Sequence, residues 1–216
     1  MTLQTFSLRT LPAALALAAA CATHAQAIEL TALPGVVASA NACYLNANCT
    51  PGTAWAAANV IDGVDDDLTG NHSWSAGTWA GAGAPQWVRL DFDSTYQLEV
   101  AELRFTYNGP AYAGYFNNYE FRTSLDGVSW DVAASGSLID SADAALRNNT
   151  WTWTAGSGPV ARYVEYRVVS GSHWAALGEM RVLGEVAAVP EPGTTAMLLA
   201  GLAAVGLLTR RRLTQD

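Results

Sequence analysis

Between residues 86 and 123 apolar and polar side chains alternate in short runs, and this alternation leaves the chain few folds to choose from. Gln86-Trp87-Val88-Arg89-Leu90-Asp91-Phe92 places Val88, Leu90 and Phe92 on one face. Leu103, Phe105 and Tyr107 share a face against Glu102, Arg104 and Thr106, and Tyr119, Phe121 and Thr123 repeat the pattern. A period of two belongs to a strand with one buried side. Asp126-Gly127 then offers a tight hairpin. Further strands fit Trp151–Thr154, Arg162–Val169 and Glu179–Leu183. Between the two ends of the chain no amphipathic helical period of useful length occurs. Short runs at this spacing predict two antiparallel sheets packed face to face, an all-β sandwich. Half of the 216 residues are apolar and eight are Trp, enough to fill its core.

The two ends read differently. Arg9, the apolar stretch from Leu11 to Ala22 and the small-x-small triplet Ala25-Gln26-Ala27 form an export signal over residues 1–27. Lipoprotein processing at Cys21 is a rival reading, disfavoured by Ala18 where a bulky aliphatic is wanted. Export implies an oxidising compartment, in which the remaining pair Cys43 and Cys49 is expected to bond to itself. At the other end, residues 187–193 hold the breaker Pro190-Glu191-Pro192-Gly193, and 194–213 hold an apolar run closed by Arg210-Arg211-Arg212. That run of about 15 residues is short for a full span. The arginines behind it fit a tail on the cytoplasmic side, with the 28–186 domain outside. These three parts in register closely resemble the PEP-CTERM sorting signal of Gram-negative exported proteins. The resemblance implies a C-terminal transmembrane helix, transient inner-membrane anchoring, recognition by an exosortase and release to the cell surface or extracellular matrix.

Charge narrows the partners. The chain has no Lys, and residues 28–190 hold 17 acidic and 7 basic side chains, a balance of −10. Nucleic acid and anionic lipid both demand basic patches, so this balance argues against either. Divalent cations are the opposite case. Asp62-Gly-Val-Asp-Asp-Asp-Leu-Thr-Gly-Asn-His-Ser-Trp74 packs four carboxylates into thirteen residues. It is no EF-hand, because the sixth and twelfth positions hold Asp67 and Ser73 rather than Gly and Glu. On the loop alone two readings stand, a cation site and a solvated acidic turn.

From about Ala57 to Gly184 the order of landmarks resembles the discoidin family, the coagulation factor V/VIII C-type domain with its galactose-binding-like jelly roll. The landmarks are Ala58-Asn59-Val60-Ile61-Asp62-Gly63, His72-Ser73-Trp74, Gln86 to Phe92, Thr123 to Trp130, Ala161-Arg162-Tyr163-Val164 and Gly178-Glu179-Met180-Arg181-Val182. The resemblance implies a discoidin-like jelly-roll β-sandwich between the signal helix and the C-terminal helix. It also implies one structural Ca2+, held by the carbonyl of Asn59, the carboxylate of Asp62, the carbonyl of Val64 or a side chain of Asp65, the hydroxyl of Thr69 and the carboxylate of Glu179. A late Glu beside an early Asp cluster would repel it without a cation.

Such a sandwich is expected to gather three long loops at one end: Asn71 to Ala84 with His72 and Trp79, Asn108 to Asn118 with Tyr112 and Tyr115, and Ser170 to Ala175 with His173 and Trp174. Aromatic rings interleaved with Asn and His suit a sugar, whose apolar face stacks while its hydroxyls take hydrogen bonds. His72, Trp79, Asn108, Tyr112, Tyr115, His173 and Trp174 are therefore the candidate ligand residues. Trp74 and Trp130 are expected to cap the core instead, and Trp79, Tyr115 and Trp174 fit either role. Sugar-binding relatives often carry an Arg in the second loop, and Asn108 to Asn118 has none. No nucleophile with base and orienting group can be assembled, so an enzyme is not expected. The expectation is an exported, non-catalytic polysaccharide-binding module; the alternative is an adhesive matrix protein that binds another protein.

Overall fold

The computed structural model describes residues 26–45, 49–64, 72–79, 85–172, 174–187 and 201–202, excluding the side chains of 78 and 79. The strands are β1 (Ile28–Glu29), β2 (Val37–Ala40), β3 (Trp74–Trp79), β4 (Gln86–Arg104), β5 (Phe116–Ser124), β6 (Asp131–Ile139), β7 (Asn148–Thr152), β8 (Val160–Gly171), β9 (Trp174–Leu177) and β10 (Glu179–Val186). One helical turn, α1 (Ala144–Arg147), and two 3-10 turns, Ala57–Ile61 and Pro110–Tyr112, complete the described elements. All strand pairs are antiparallel.

Strand β4 organises the molecule by serving two sets of partners. Its first part pairs with β2 and β8, as in Val88 opposite Ala40 and Tyr166. Its last part pairs with β7 and β10, as in Leu103 opposite Asn149 and Met180. The change falls beside Asp93, which has a left-handed φ of 64° and donates its N–H to Asp91 Oδ1 at 2.8 Å. An L-residue takes this conformation only where its surroundings hold it there. Arg162 helps by gripping both oxygens of Asp91 at 2.9 and 3.1 Å, which lowers the Asp91 pKa. The resulting order is β1-β10-β4-β8-β5-β6, with β2 and β7 also on β4, while β3 and β9 form a separate two-stranded sheet.

Across the core, Trp151 of β7 faces β5, stacked on Phe121 at 6.4 Å and edge-on to Tyr119 at 5.7 Å. Val88, Leu90, Leu98, Leu103, Phe121, Val164 and Tyr166 are fully buried. Burial at about 25 cal/mol per Å2 of apolar surface is the main force holding such layers together. Tyr119 and Tyr166 are buried phenols with pKa values raised by desolvation.

The fold is the all-β sandwich expected from the sequence. Val88, Leu90, Phe92, Leu103, Phe105, Tyr119, Phe121 and Thr123 point inward as their alternation predicts. Tyr107 does not; it stays half-exposed, with the Arg147 guanidinium 5.8 Å from its ring. The strand expected at Trp151–Thr154 begins earlier and ends at Thr152. A larger correction concerns the first expected loop. Residues 74–79 form strand β3, because Trp74 is wholly buried and ties the segment to the core. The third expected loop is likewise short, since β8 runs to Gly171 and β9 starts at Trp174. Residues 1–25 of the export signal and the Pro190-Glu191-Pro192 and Arg210-Arg211-Arg212 segments lie outside the described residues. Among the described residues no helix is long and apolar enough to cross a membrane.

Candidate functional site

The second and third expected loops come together. The Phe116 N–H donates to Ser172 Oγ at 3.0 Å, and the Ser172 N–H returns to the Phe116 carbonyl at 3.0 Å. Buried Asn117 extends its side-chain amide to the Trp174 carbonyl at 3.1 Å, fastening β5 to β9. Next to this seam the Tyr112 and Tyr115 rings lie 6.0 Å apart at 58°, both part-exposed. Buried Asp140 fixes their loop: its N–H reaches the Tyr115 carbonyl at 2.7 Å and its carbonyl accepts from Gly114 at 2.8 Å.

Asn108 serves the same clamp. Its backbone N–H meets Asp140 Oδ1 at 3.1 Å, and its side-chain amide donates to Asp140 Oδ2 at 2.8 Å and to the Thr106 carbonyl at 3.1 Å. Both amide hydrogens are thus used in shaping the loop. His72 places its Nδ1 2.7 Å from Asp62 Oδ2. His173 lies outside the described residues, as does the side chain of Trp79. The backbone of Trp79 pairs directly with Trp174 across β3 and β9.

Two aromatic residues that the sequence reading passed over join this end. Tyr44 stacks on Trp174 with centroids 5.7 Å apart and planes at 20°, and meets Trp55 edge-on at 6.3 Å. All three rings are part-exposed. Cys43 and Cys49 are joined by a disulfide around the start of this segment. No local pattern announces such a cluster, because its members are separated by up to 130 positions.

In the acidic region, Asn59 is buried in the 3-10 turn and donates its side-chain amide to the carbonyls of Thr53 and Ser73 at 3.2 and 3.1 Å. Asp62 follows that turn and accepts the Val64 N–H at 2.9 Å. Glu179 opens β10, is only 8% exposed, and β10 packs on the same turn. The two carboxylates therefore sit on neighbouring elements. Asp65 and Thr69 lie outside the described residues, and among the described residues no group of three His, Cys, Asp or Glu side chains could hold a metal ion.

The described residues thus form a β-sandwich with part-exposed aromatic rings gathered on hydrogen-bonded segments. A sequence model of the F5/8 type C domain matches residues 45–180, and the chain belongs to that family. A model of the PEP-CTERM protein-sorting motif matches residues 188–212, a motif of exported proteins sorted by an exosortase. No curated protein matches the chain. Among solved structures, CpGH89CBM32-6 produced by Clostridium perfringens is 15% identical with a TM-score of 0.50, covering 73% of this chain and 99% of that one. A fucolectin from the serum of striped bass, Morone saxatilis, is 15% identical with a TM-score of 0.51, covering 70% of this chain and 46% of that one. A family 89 glycoside hydrolase from Clostridium perfringens is 23% identical with a TM-score of 0.50, over 76% of this chain but 16% of the hydrolase. At these identities the likeness is one of fold.

Proposed function

We propose that this chain is a non-catalytic binding module for polysaccharide, carried by its sorting signal to the surface or matrix of a Gram-negative bacterium. Anchoring in the inner membrane by the C-terminal apolar run precedes that delivery. The observation that carries the reading is the aromatic end, where Tyr112, Tyr115 and Trp174 sit on segments hydrogen-bonded to one another. Part-exposed rings on a rigid seam suit the apolar face of a pyranose, and flanking amides suit its hydroxyls. The similar fold of a fucolectin supports the same reading. A glycan array probed with the full chain in mild detergent tests it. Saturable binding to one glycan class, weakened in Trp174→Ala protein of unchanged melting temperature, is expected; silence across the array counts against it.

A structural Ca2+ belongs to this proposal. Asp62 and the nearly buried Glu179 supply hard oxygen donors from adjacent elements. The carbonyls of Asn59 and Val64, with Asp65 and Thr69, would complete the set. A bound ion would offset the repulsion of the acidic segment and tie the early turn to β10.

A further inference from the structure

We propose that the glycan site extends onto the N-terminal segment as a platform of Tyr44, Trp55 and Trp174, held in shape by the Cys43–Cys49 disulfide. This rests on the polysaccharide reading above and adds residues, geometry and a redox dependence to it. The ligand class is a neutral sugar chain long enough to cover more than one ring.

The geometry shows how tightly Tyr44 is placed. Its backbone N–H donates to the Ser75 carbonyl of β3 at 2.7 Å, and two residues earlier the Ala42 carbonyl accepts from the Trp74 indole at 2.9 Å. The segment 42–44 is therefore laid along β3 by one backbone bond and one bond from a fully buried ring. Its position demands a glycine beneath it. Gly77 has a φ of 67°, and a Cβ there would stand 2.5 Å from Tyr44 Cδ2. Only a residue without a side chain lets the ring lie so close. Over this gap Tyr44 stacks on Trp174, while Trp55 approaches its edge. Trp55 is fixed in turn by a bridge to Trp74. Three part-exposed rings, two from residues 44–55 and one from the distant β9, thus meet beside the β3–β9 pair.

The disulfide starts at Cys43, directly before Tyr44, and returns at Cys49. Closing so short a loop limits the conformations open to Tyr44 when no ligand is bound. Preorganised rings bind more tightly because less ordering remains to be done on association. Reduction should therefore weaken binding without abolishing it.

The test uses the full chain in mild detergent and three immobilised neutral polysaccharides, a β-galactan, a β-glucan and a chitin hydrolysate. Binding is measured before and after reduction, and in Gly77→Ala, Tyr44→Ala and Tyr44→Phe proteins whose melting stays above the assay temperature. Losing one stacked ring is worth up to about tenfold in affinity. A three- to tenfold loss on reduction, in Gly77→Ala and in Tyr44→Ala, with Tyr44→Phe near the unmutated value, is the expected result. Should the unmutated protein bind while reduction and these variants leave affinity unchanged, the platform is wrong and the polysaccharide reading survives. Failure of the unmutated protein to bind any of the three overturns both. Fluorine NMR of 5-fluorotryptophan protein adds a readout independent of ligand: the Trp174 resonance should shift on reduction, and an unmoved resonance contradicts the coupling.

Discussion

Glu165 is the side chain whose environment departs most from what its chemistry favours in isolation. It is 1% exposed, yet its oxygens meet Arg89 at 2.9 Å and Arg122 at 3.0 Å. The Arg89 guanidinium also lies 4.4 Å from the Trp87 ring centroid and 4.3 Å from that of Trp130. Trp130 is thus a lid over an ion-pair network on the outer face of the sheet. The sequence predicts Trp130 as a cap on the core; it lies instead over Arg89 and Arg122, away from the core cluster. The partners come from β4, β5 and β8, and only the register of Arg89 and Arg122 opposite Glu165 brings them together. Glu165→Gln would set an amide N–H against one of the two guanidinium groups. Breaking one side of a buried pair costs about 3–5 kcal/mol, so melting should fall by roughly 6–20 °C. A fall of under 2 °C by calorimetry would show that the network adds little.

At the scale of elements, the hairpin from β5 to β6 was announced by Asp126-Gly127, and the reason is now explicit. Asp126 Oδ1 accepts the N–H groups of Ser129 and Val128 at 2.7 and 2.8 Å and the Ser124 hydroxyl at 3.0 Å, while Gly127 takes a φ of 72°. The Ser129 and Val128 N–H groups and the Ser124 hydroxyl hold the carboxyl down at about 2, against an ordinary 3.8. A depressed carboxylate stabilises the fold above its unfolded value, and that contribution disappears as pH falls through the folded one. The hairpin should therefore weaken between about pH 4 and 2. Asp126→Asn should flatten the stability profile in that window, as read by urea unfolding at each pH, and a variant as steep as the parent would contradict this. Strands β3 and β9 were less legible. Ser-Ala-Gly-Thr and Ala-Ala carry little strand propensity, and these residues are strands because Trp74, Ala175 and Leu177 are buried. The continuity of β4 was hidden for another reason: the bend at Asp93 depends on Arg162, far away in sequence.

For the whole molecule, family and sorting motif could be recognised because both rest on local landmarks in order. The candidate site was legible only in part. Trp174, Tyr112 and Tyr115 are singled out by the composition of their loops, whereas Tyr44 and Trp55 enter the candidate site only once the fold brings Tyr44 onto Trp174. His72, the polar contact expected from the sequence, has its Nδ1 engaged by Asp62 across the turn, a pairing that no local pattern announces. If Asp62 and Glu179 clasp a cation, calcium at a hundredfold excess over its Kd adds about 2.7 kcal/mol to stability. That corresponds to roughly 5–11 °C in melting temperature. Asp62→Ala should remove the calcium-dependent part of the melting temperature. Equal melting of the unmutated protein in calcium and in chelator would exclude the clasp.

The account as a whole depends on the aromatic end meeting sugar. Calorimetric titration of the full chain with the polysaccharide selected by the array, in parallel with Trp174→Ala, is the direct measurement. Saturable heat from the unmutated protein, weakened about three- to tenfold in a variant that melts normally, is the predicted result. Heat that is absent from both proteins, or identical in both, would contradict it.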